Sequence, residues 1–411
     1  MKLKLFMCLL SCISIKCDLN AQVLWQINKD TIIKWNLEDA DEFDAPEINI
    51  EKWKYWYGWA RSIYGQKEQQ YYSEGKNHFL ENGSLKLTAK KENIHKRLVD
   101  WMDDTTSIVN EGKSYGKNRR QFKYSAGMIQ SHKKYKYGYF EIKFKLPKEK
   151  GYWPAFWLYG GSPNEEIDWM ELKSEKKSGI HVGRHSQKEE ENRIRDVIRK
   201  KLWGNWVYFK GDLSSNWNVI SGEWTSQYVK YFLNGECIAM SKVGLDIEKV
   251  LCANIAVPSN DGPFKPGPDT NNVEPVNFLI DYIRVWTKNK ESEVMSHKHS
   301  IHKFNMENKL TARTSLISKT RFLYGKKSEH TNEGIFVSLI PMLNNKYCLQ
   351  VLGKNIPENA TYTIKGETNT ITKQLEYGEN IIDLKELEEL NAELLIDCFS
   401  KKASYPLLKS N

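Results

Sequence analysis

Beyond its N-terminus the sequence has no apolar stretch long enough to cross a bilayer, so no transmembrane helix is expected. Cysteine is scarce. Cys8, Cys12 and Cys17 lie at the extreme N-terminus, which leaves Cys237, Cys252, Cys348 and Cys398. None of these forms a CxxC, so zinc and thioredoxin-like redox chemistry find no support. Buried free thiols compete with disulfides, whose pairing the spacing leaves open. Helical periodicity is nearly missing between Gln22 and Lys288, and no internal repeat is visible. Neither sign of charge dominates. The 61 basic and 52 acidic residues leave a formal net charge of +9. That charge is spread through the chain and matches no nucleic-acid motif, so no nucleic-acid partner is expected.

Aromatics are plentiful, with 14 Trp and 21 Tyr among 411 residues. Flat rings of this kind stack on sugars, although an aromatic-rich β core is the plainer explanation. At about 150 residues per domain the length suggests two or three units, and 40% hydrophobic content can bury sizeable cores. Residues 1–21 read as a secretory signal: Met1-Lys2-Leu3-Lys4, an apolar run from Leu5 to Ile15, and a small-residue cleavage site ending at Ala21. The expected location is therefore secreted, periplasmic or at the cell surface. Cys17 invites a lipid anchor, but Lys16 before it does not suit one. Short alternating strands such as Leu85–Ala89 and Tyr139–Leu146, punctuated by turns such as Asn82-Gly83, imply an all-β sandwich over residues 22–288. Residues 289–316 read as a polar linker, in which His297, His299 and His302 belong to a solvated tract before a metal site. Apolar strands between 317 and 411 then imply a second, small β-sandwich domain, with carbohydrate binding, secretion sorting and a plain spacer all open. On this reading residues 22–288 stand alone as a folding unit.

The chemistry is concentrated in Glu166-Ile167-Asp168-Trp169-Met170-Glu171. In an extended strand Glu166 and Asp168 share a face, and Glu171 joins them only if a β-bulge at Trp169 or Met170 absorbs one residue. The two glutamates would then stand roughly 13 Å apart at Cα. Long side chains can lean from there toward the separation of about 5–5.5 Å that retaining glycosidases use. The plainer alternative is an acidic edge strand that resists aggregation.

This strand, preceded by Trp153-Pro154-Ala155-Phe156-Trp157-Leu158, resembles the catalytic strand of family 16 glycoside hydrolases, in the form found in laminarinases and agarases. Segments at 82–89, 137–141, 223–235 and 281–286 resemble further strands of that family, in its order. The resemblance implies a concanavalin A-like jelly-roll β-sandwich. It also implies Glu166 as nucleophile, Glu171 as general acid/base and Asp168 between them. Trp153 and Trp157 become the stacking candidates, with sandwich core as the alternative for each. Of His181 and His185, four apart on the following strand, His185 is the choice for lining the cleft near the acid/base and His181 the reserve.

No metal or organic cofactor is implied. Asp281 is the nearest thing to a structural calcium ligand, without a recognisable site around it. The sequence departs from the family at Lys67, where Asn is usual, at Asn218, where many relatives have His, and after Cys252, where a Gly-Gly pair is missing. The insertion at 94–123 is a solvated loop or a cleft wall. The implied activity is a retaining endo-β-glycanase, acting on a β-1,3- or mixed-linked glucan as an expected monomer. A sulfated-galactan hydrolase, a transglycosylase and a non-catalytic glycan-binding protein are the alternatives.

Overall fold

The computed structural model describes residues 22–186, 202–288 and 334–408, apart from short gaps at 64, 66, 111, 163–164, 243, 270, 272, 343–344, 355 and 388–390. The expected signal at 1–21 and linker at 289–316 lie outside the described residues. The fold is an all-β jelly-roll sandwich. One sheet carries the acidic strand and runs in the order Leu202–Tyr208, Gly179–Ser186, Glu165–Glu171, Trp153–Tyr159, Lys249–Ala256, Met128–Tyr135 and Trp53–Lys54. The opposite sheet is built around Gly138–Lys145, Val276–Lys288, Asn218–Trp224 and Ile32–Asp41. Between the sheets lies a core to which every second residue contributes, for example Phe156 and Leu158 from one sheet and Phe140, Ile142 and Phe144 from the other. This alternation follows from the period-two geometry of strands.

The opposite sheet does not stop at the jelly roll. Val23–Ile27 pairs with Ile32–Asp41 on one side and with Ile335–Met342 on the other, which carries the sheet on into the C-terminal unit. All five residues of this N-terminal strand are buried. Val23, Trp25 and Ile27 enter the core of the C-terminal unit beside Val337, Leu349 and Leu394. Leu24 faces the other way, into a shared cluster with Trp35, Tyr139, Trp286, Phe336 and Leu352. The C-terminal unit closes with a second sheet of Thr370–Gln374, Thr361–Lys365, Asn391–Cys398 and Lys401–Leu408.

A chain ending at residue 288 would bare the face of its first strand that carries Val23, Trp25 and Ile27, while Leu24 would keep Trp35, Tyr139 and Trp286. Fully burying each Val, Ile or Trp of that strand is worth about 1.5–3 kcal/mol, too much to leave in water. Local alternation within Val23–Ile27 carries no mark of which neighbour the strand will choose. All four described cysteines are free, and three of them are buried. Asp281 pairs with Lys143 at 2.7 Å, which gives it a structural partner.

Candidate active site

The bulge lies where the acidic strand needs it. Asp168 pairs with Trp157 and Glu171 with Ala155, so three steps on one strand match two on its neighbour. The same slip occurs on the other side, where Asp168 pairs with Gly183 and Glu171 with His181. Trp169 and Met170 consequently both point into the core, and Glu166, Asp168 and Glu171 all face outward. Trp169 can be accommodated because Gly222 lies opposite: a Cβ there would come within 2.1 Å of the indole. Phe140 stacks on the ring at 5.7 Å and Tyr231 meets it edge-on at 5.5 Å.

Each glutamate has its own histidine. His181 Nδ1 lies 2.8 Å from Glu171 Oε2. His185 Nε2 lies 3.6 Å from Glu166 Oε1 and 3.5 Å from Asp168 Oδ2. The histidine beside Glu171 is thus His181, the reserve, while His185 stands by Glu166. The register of the two strands sets this pairing. Glu166 lies level with His185, and the bulge after Asp168 brings Glu171 level with His181, where an unbroken register would have set it against Ile180.

Burial, followed by the charge of Asp168, pushes the carboxyl of Glu166 well above its ordinary range, against the opposing pull of His185. Burial and then Asp168 also raise Glu171, while the His181 contact works to lower it. For His185 burial acts to lower the value, but Asp168, Glu166 and Glu171 outweigh it and push it up to about 9. The two crowded glutamates therefore hold their protons more tightly than isolated carboxyls do, beside a histidine that favours its charged form. Glu166, Asp168 and His185 present ligand atoms within 4.8 Å of one another, close enough to grip a cation. The charged His185 already occupies that role electrostatically.

Aromatics flank the acids on both sides. Trp157 donates from Nε1 to Asn254 at 2.8 Å and meets Tyr57 edge-on at 5.9 Å. Tyr57 stacks on Trp59 at 4.6 Å, and Trp59 lies 4.5 Å from Tyr159. Beneath them Glu68 is buried and receives bonds from Gln70, Ser62 and Tyr57. Burial pushes it up to about 7 despite those donors. Toward Glu171 lies a second group. Trp153 stacks on Phe264 at 4.4 Å, so one face of this stacking candidate is already taken by protein. Trp206 adjoins Phe264 and His181, and Lys176 sits 4.3 Å above the Trp206 ring.

Trp59, Trp206, Tyr57 and Phe264 were not singled out from the sequence. Trp206 had a usable signal, because it pairs directly with His181 across two strands. Phe264 had none, since it sits on an irregular loop. Of the departures, Lys67 is exposed, and Asn218 ties a hairpin of the opposite sheet through Asn234, away from the acids. The 94–123 segment is an ordered β arm. Its Leu98, Val99, Ile108 and Phe122 pack on the loop that carries Trp59, which favours the cleft-wall reading.

Residues 65–249 match the family described as glycosyl hydrolases family 16. The match covers a little under half of this chain. Among curated relatives, this chain is similar to the clotting factor G alpha subunit of Tachypleus tridentatus, 27% identical over 62% of this chain and 34% of that protein. It is also similar to a glucan endo-1,3-beta-glucosidase A1 of Niallia circulans, 25% identical over 61% and 38%. A glucan endo-1,3-beta-glucosidase of Cryptopygus antarcticus is 25% identical over 62% of this chain and 93% of its own length. The chain thus spans little more than a third of the first two. Among solved structures, the endo-beta-1,3-glucanase of Pyrococcus furiosus shares the fold at a TM-score of 0.50 and 24% identity, over 62% of this chain and 96% of that one. A structure from work on endo-acting O-glycanases of the human gut microbiota gives 0.51 and 26%, over 64% and 94%.

Proposed function

We propose that this chain is a glycoside hydrolase of family 16, a retaining endo-β-glycanase that cleaves a β-1,3- or mixed-linked glucan. The observation that carries the proposal is the bulged strand, which aims two glutamates and an aspartate at one face with a histidine against each glutamate. A glycan-binding protein has no physical need for that arrangement, since crowded, raised carboxyls cost stability and repay it only in proton transfer.

In the proposed mechanism Glu166 attacks the anomeric carbon as a carboxylate, its ionised form favoured by the His185 imidazolium. The bond to the leaving oxygen breaks as Glu171 gives that oxygen its proton. Glu171 then takes a proton from water, the water oxygen bonds to the anomeric carbon, and the ester to Glu166 is released. Asp168 stands between the two glutamates and its charge favours the protonated form of each, which suits a pair that works with one proton. No metal or cofactor enters any step. The two aromatic groups offer sugar-stacking faces on either side of the acids. The reading includes export of the chain, on the strength of residues 1–21.

The glucan is favoured because two of the three relatives above are described as glucan endo-1,3-beta-glucosidases. A mucin-type O-glycan is a second reading, motivated by the likeness to the gut O-glycanase work. Product analysis over laminarin, mixed-linkage glucan, sulfated galactans and mucin O-glycans tests both. Oligosaccharides released from a glucan, with the β anomer appearing first by NMR, are the expected result. Turnover of the O-glycan alone would replace the substrate, and an initial α anomer would remove the retaining mechanism.

A further inference from the structure

We propose that Phe264 is a positioning residue, whose ring holds the His181 imidazole on Glu171 and so governs how tightly the acid/base keeps its proton. The proposal rests on the glycosidase reading above. His181 is flanked edge-on by two rings, Phe264 at 5.8 Å and 86° and Trp206 at 5.8 Å and 62°. An imidazole turns freely about its terminal torsion unless neighbours restrict it. Here two neighbours do, and the orientation they leave places Nδ1 2.8 Å from Glu171. Phe264 is itself backed by Trp153, stacked at 12°.

The loop accepts strain to put that ring in place. Phe264 has φ of 59°, a left-handed conformation that a bulky residue rarely adopts and that concentrates at functional sites. The loop is also tied down at several points. Gln69 Nε2 donates to Pro258 O at 2.7 Å, and Gly267 N donates to Asn260 Oδ1 at 3.0 Å. Lys173, two residues beyond Glu171 on the same chain segment, donates to the carbonyl of Lys265, next to Phe264. The acidic strand and the Phe264 loop are thereby held in register with each other.

The ionisable groups facing Glu171 are Asp168 and Glu166 on its own strand and His181 and His185 on the next. The strand on its other side contributes Ala155, which carries no charge. Of these groups only His181 makes a close hydrogen bond to Glu171, and that bond favours the ionised carboxylate. Loosening His181 should therefore let Glu171 keep its proton to higher pH. The alkaline limb of kcat/KM, which reports the acid in the free enzyme, should move upward.

The experiment compares full-length wild type, Phe264→Ala, His181→Asn and the double variant on whichever glycan the wild type cleaves. Both single variants should raise the alkaline limb by roughly half a pH unit or more. The double variant should go no further than His181→Asn, since the two act through one contact. Phe264→Trp, which restores a flat ring, should return the limb toward wild type. An unmoved limb in Phe264→Ala, or shifts that add in the double variant, would overturn the proposal. Phe264→Leu keeps the apolar bulk without the flat ring, and is read by the same criteria if the alanine variant does not fold. Should the wild type cleave no glycan, the glycosidase reading fails separately. The ¹⁵N signal of His181 Nδ1 then decides. It should lose its hydrogen-bonded shift in the folded variant, and an unchanged signal overturns the positioning role.

Discussion

Carboxylates are buried on both sheets of the sandwich, and the two sheets treat them differently. On the opposite sheet the buried Glu141 and Glu223 each have a cation. Arg284 reaches Glu141 at 3.8 Å while gripping the half-buried Glu42 with two nitrogens at 2.7 and 2.8 Å, and Lys288 meets Glu223 at 2.5 Å. For Glu223, burial acts to raise the carboxyl, but Lys288 outweighs it and holds the group below its ordinary range. On the acidic strand Glu166, Asp168 and Glu171 face one another with only histidines to answer them, and both glutamates are pushed upward. Glu141 lies between these cases: burial outweighs Arg284 and pushes it up to about 7. A buried carboxylate matched by Arg or Lys is committed to packing, whereas a cluster matched only by histidine keeps an exchangeable proton.

The comparison breaks most visibly at the acidic strand. Glu166→Gln and Glu171→Gln should each lower glycan hydrolysis by on the order of 10²–10⁴, the usual worth of a nucleophile or an acid/base. The two should part on an activated aryl glycoside, whose leaving group needs little protonation. Its first step should survive in Glu171→Gln and fail in Glu166→Gln, as a burst of released phenol would show. Equal loss in both variants would mean that the roles are misassigned.

The next effect belongs to the opposite sheet and falls on stability. Trp25 is 2% exposed and packs into the C-terminal core, with Tyr405 edge-on at 6.0 Å. Trp25→Ala should cost about 3–5 kcal/mol, the usual price of truncating a buried Trp. Denaturant unfolding measures this, and the surviving folded fraction should keep the wild-type kcat because Trp25 is remote from the acids. A loss near zero would show that the first strand is not part of one cooperative unit with residues 334–408.

The acidic strand was legible because its information is local. Three acids among Ile, Trp and Met need a bulge to share a face, and the pairing on both flanks contains it. The jelly roll was legible for a similar reason, since alternation and turn residues recur along it. What escaped depends on contacts distant in sequence. The partner of Val23–Ile27 lies more than three hundred residues away. Phe264 reaches His181 from a loop without periodicity, and the choice between His181 and His185 turns on the register between two strands, which neither strand's own pattern fixes. Alternation puts Trp153 and Trp157 on one face of their strand, and both are half-buried. Alternation could not disclose that Phe264 covers a face of Trp153.

The smallest effect expected is none, and it bears on what the site recognises. Lys67 replaces the usual Asn and is exposed, and the β arm brings Lys96 opposite Arg120 and Arg97 opposite Arg119 across its strands. Like charges set directly opposite one another are unfavourable unless an anion answers them. For one of these pairs the protein supplies the anion itself, because Asp104 meets Arg97 at 2.5 Å and Arg119 at 3.3 Å. Arg120 donates to the carbonyls of Tyr115 and Lys117. The arm's arginines are thus largely engaged in building the arm, which argues against reading it as a receptor for sulfate groups. Recognition of a neutral glucan by ring stacking and hydrogen bonds should give a KM nearly flat between 0.1 and 1 M salt, although the Debye length falls from about 10 Å to about 3 Å over that range. A KM that climbs steeply with salt, on a sulfated galactan and with no neutral glucan cleaved, would move the substrate to the anionic class and make Lys67 and Lys96 the first residues to neutralise.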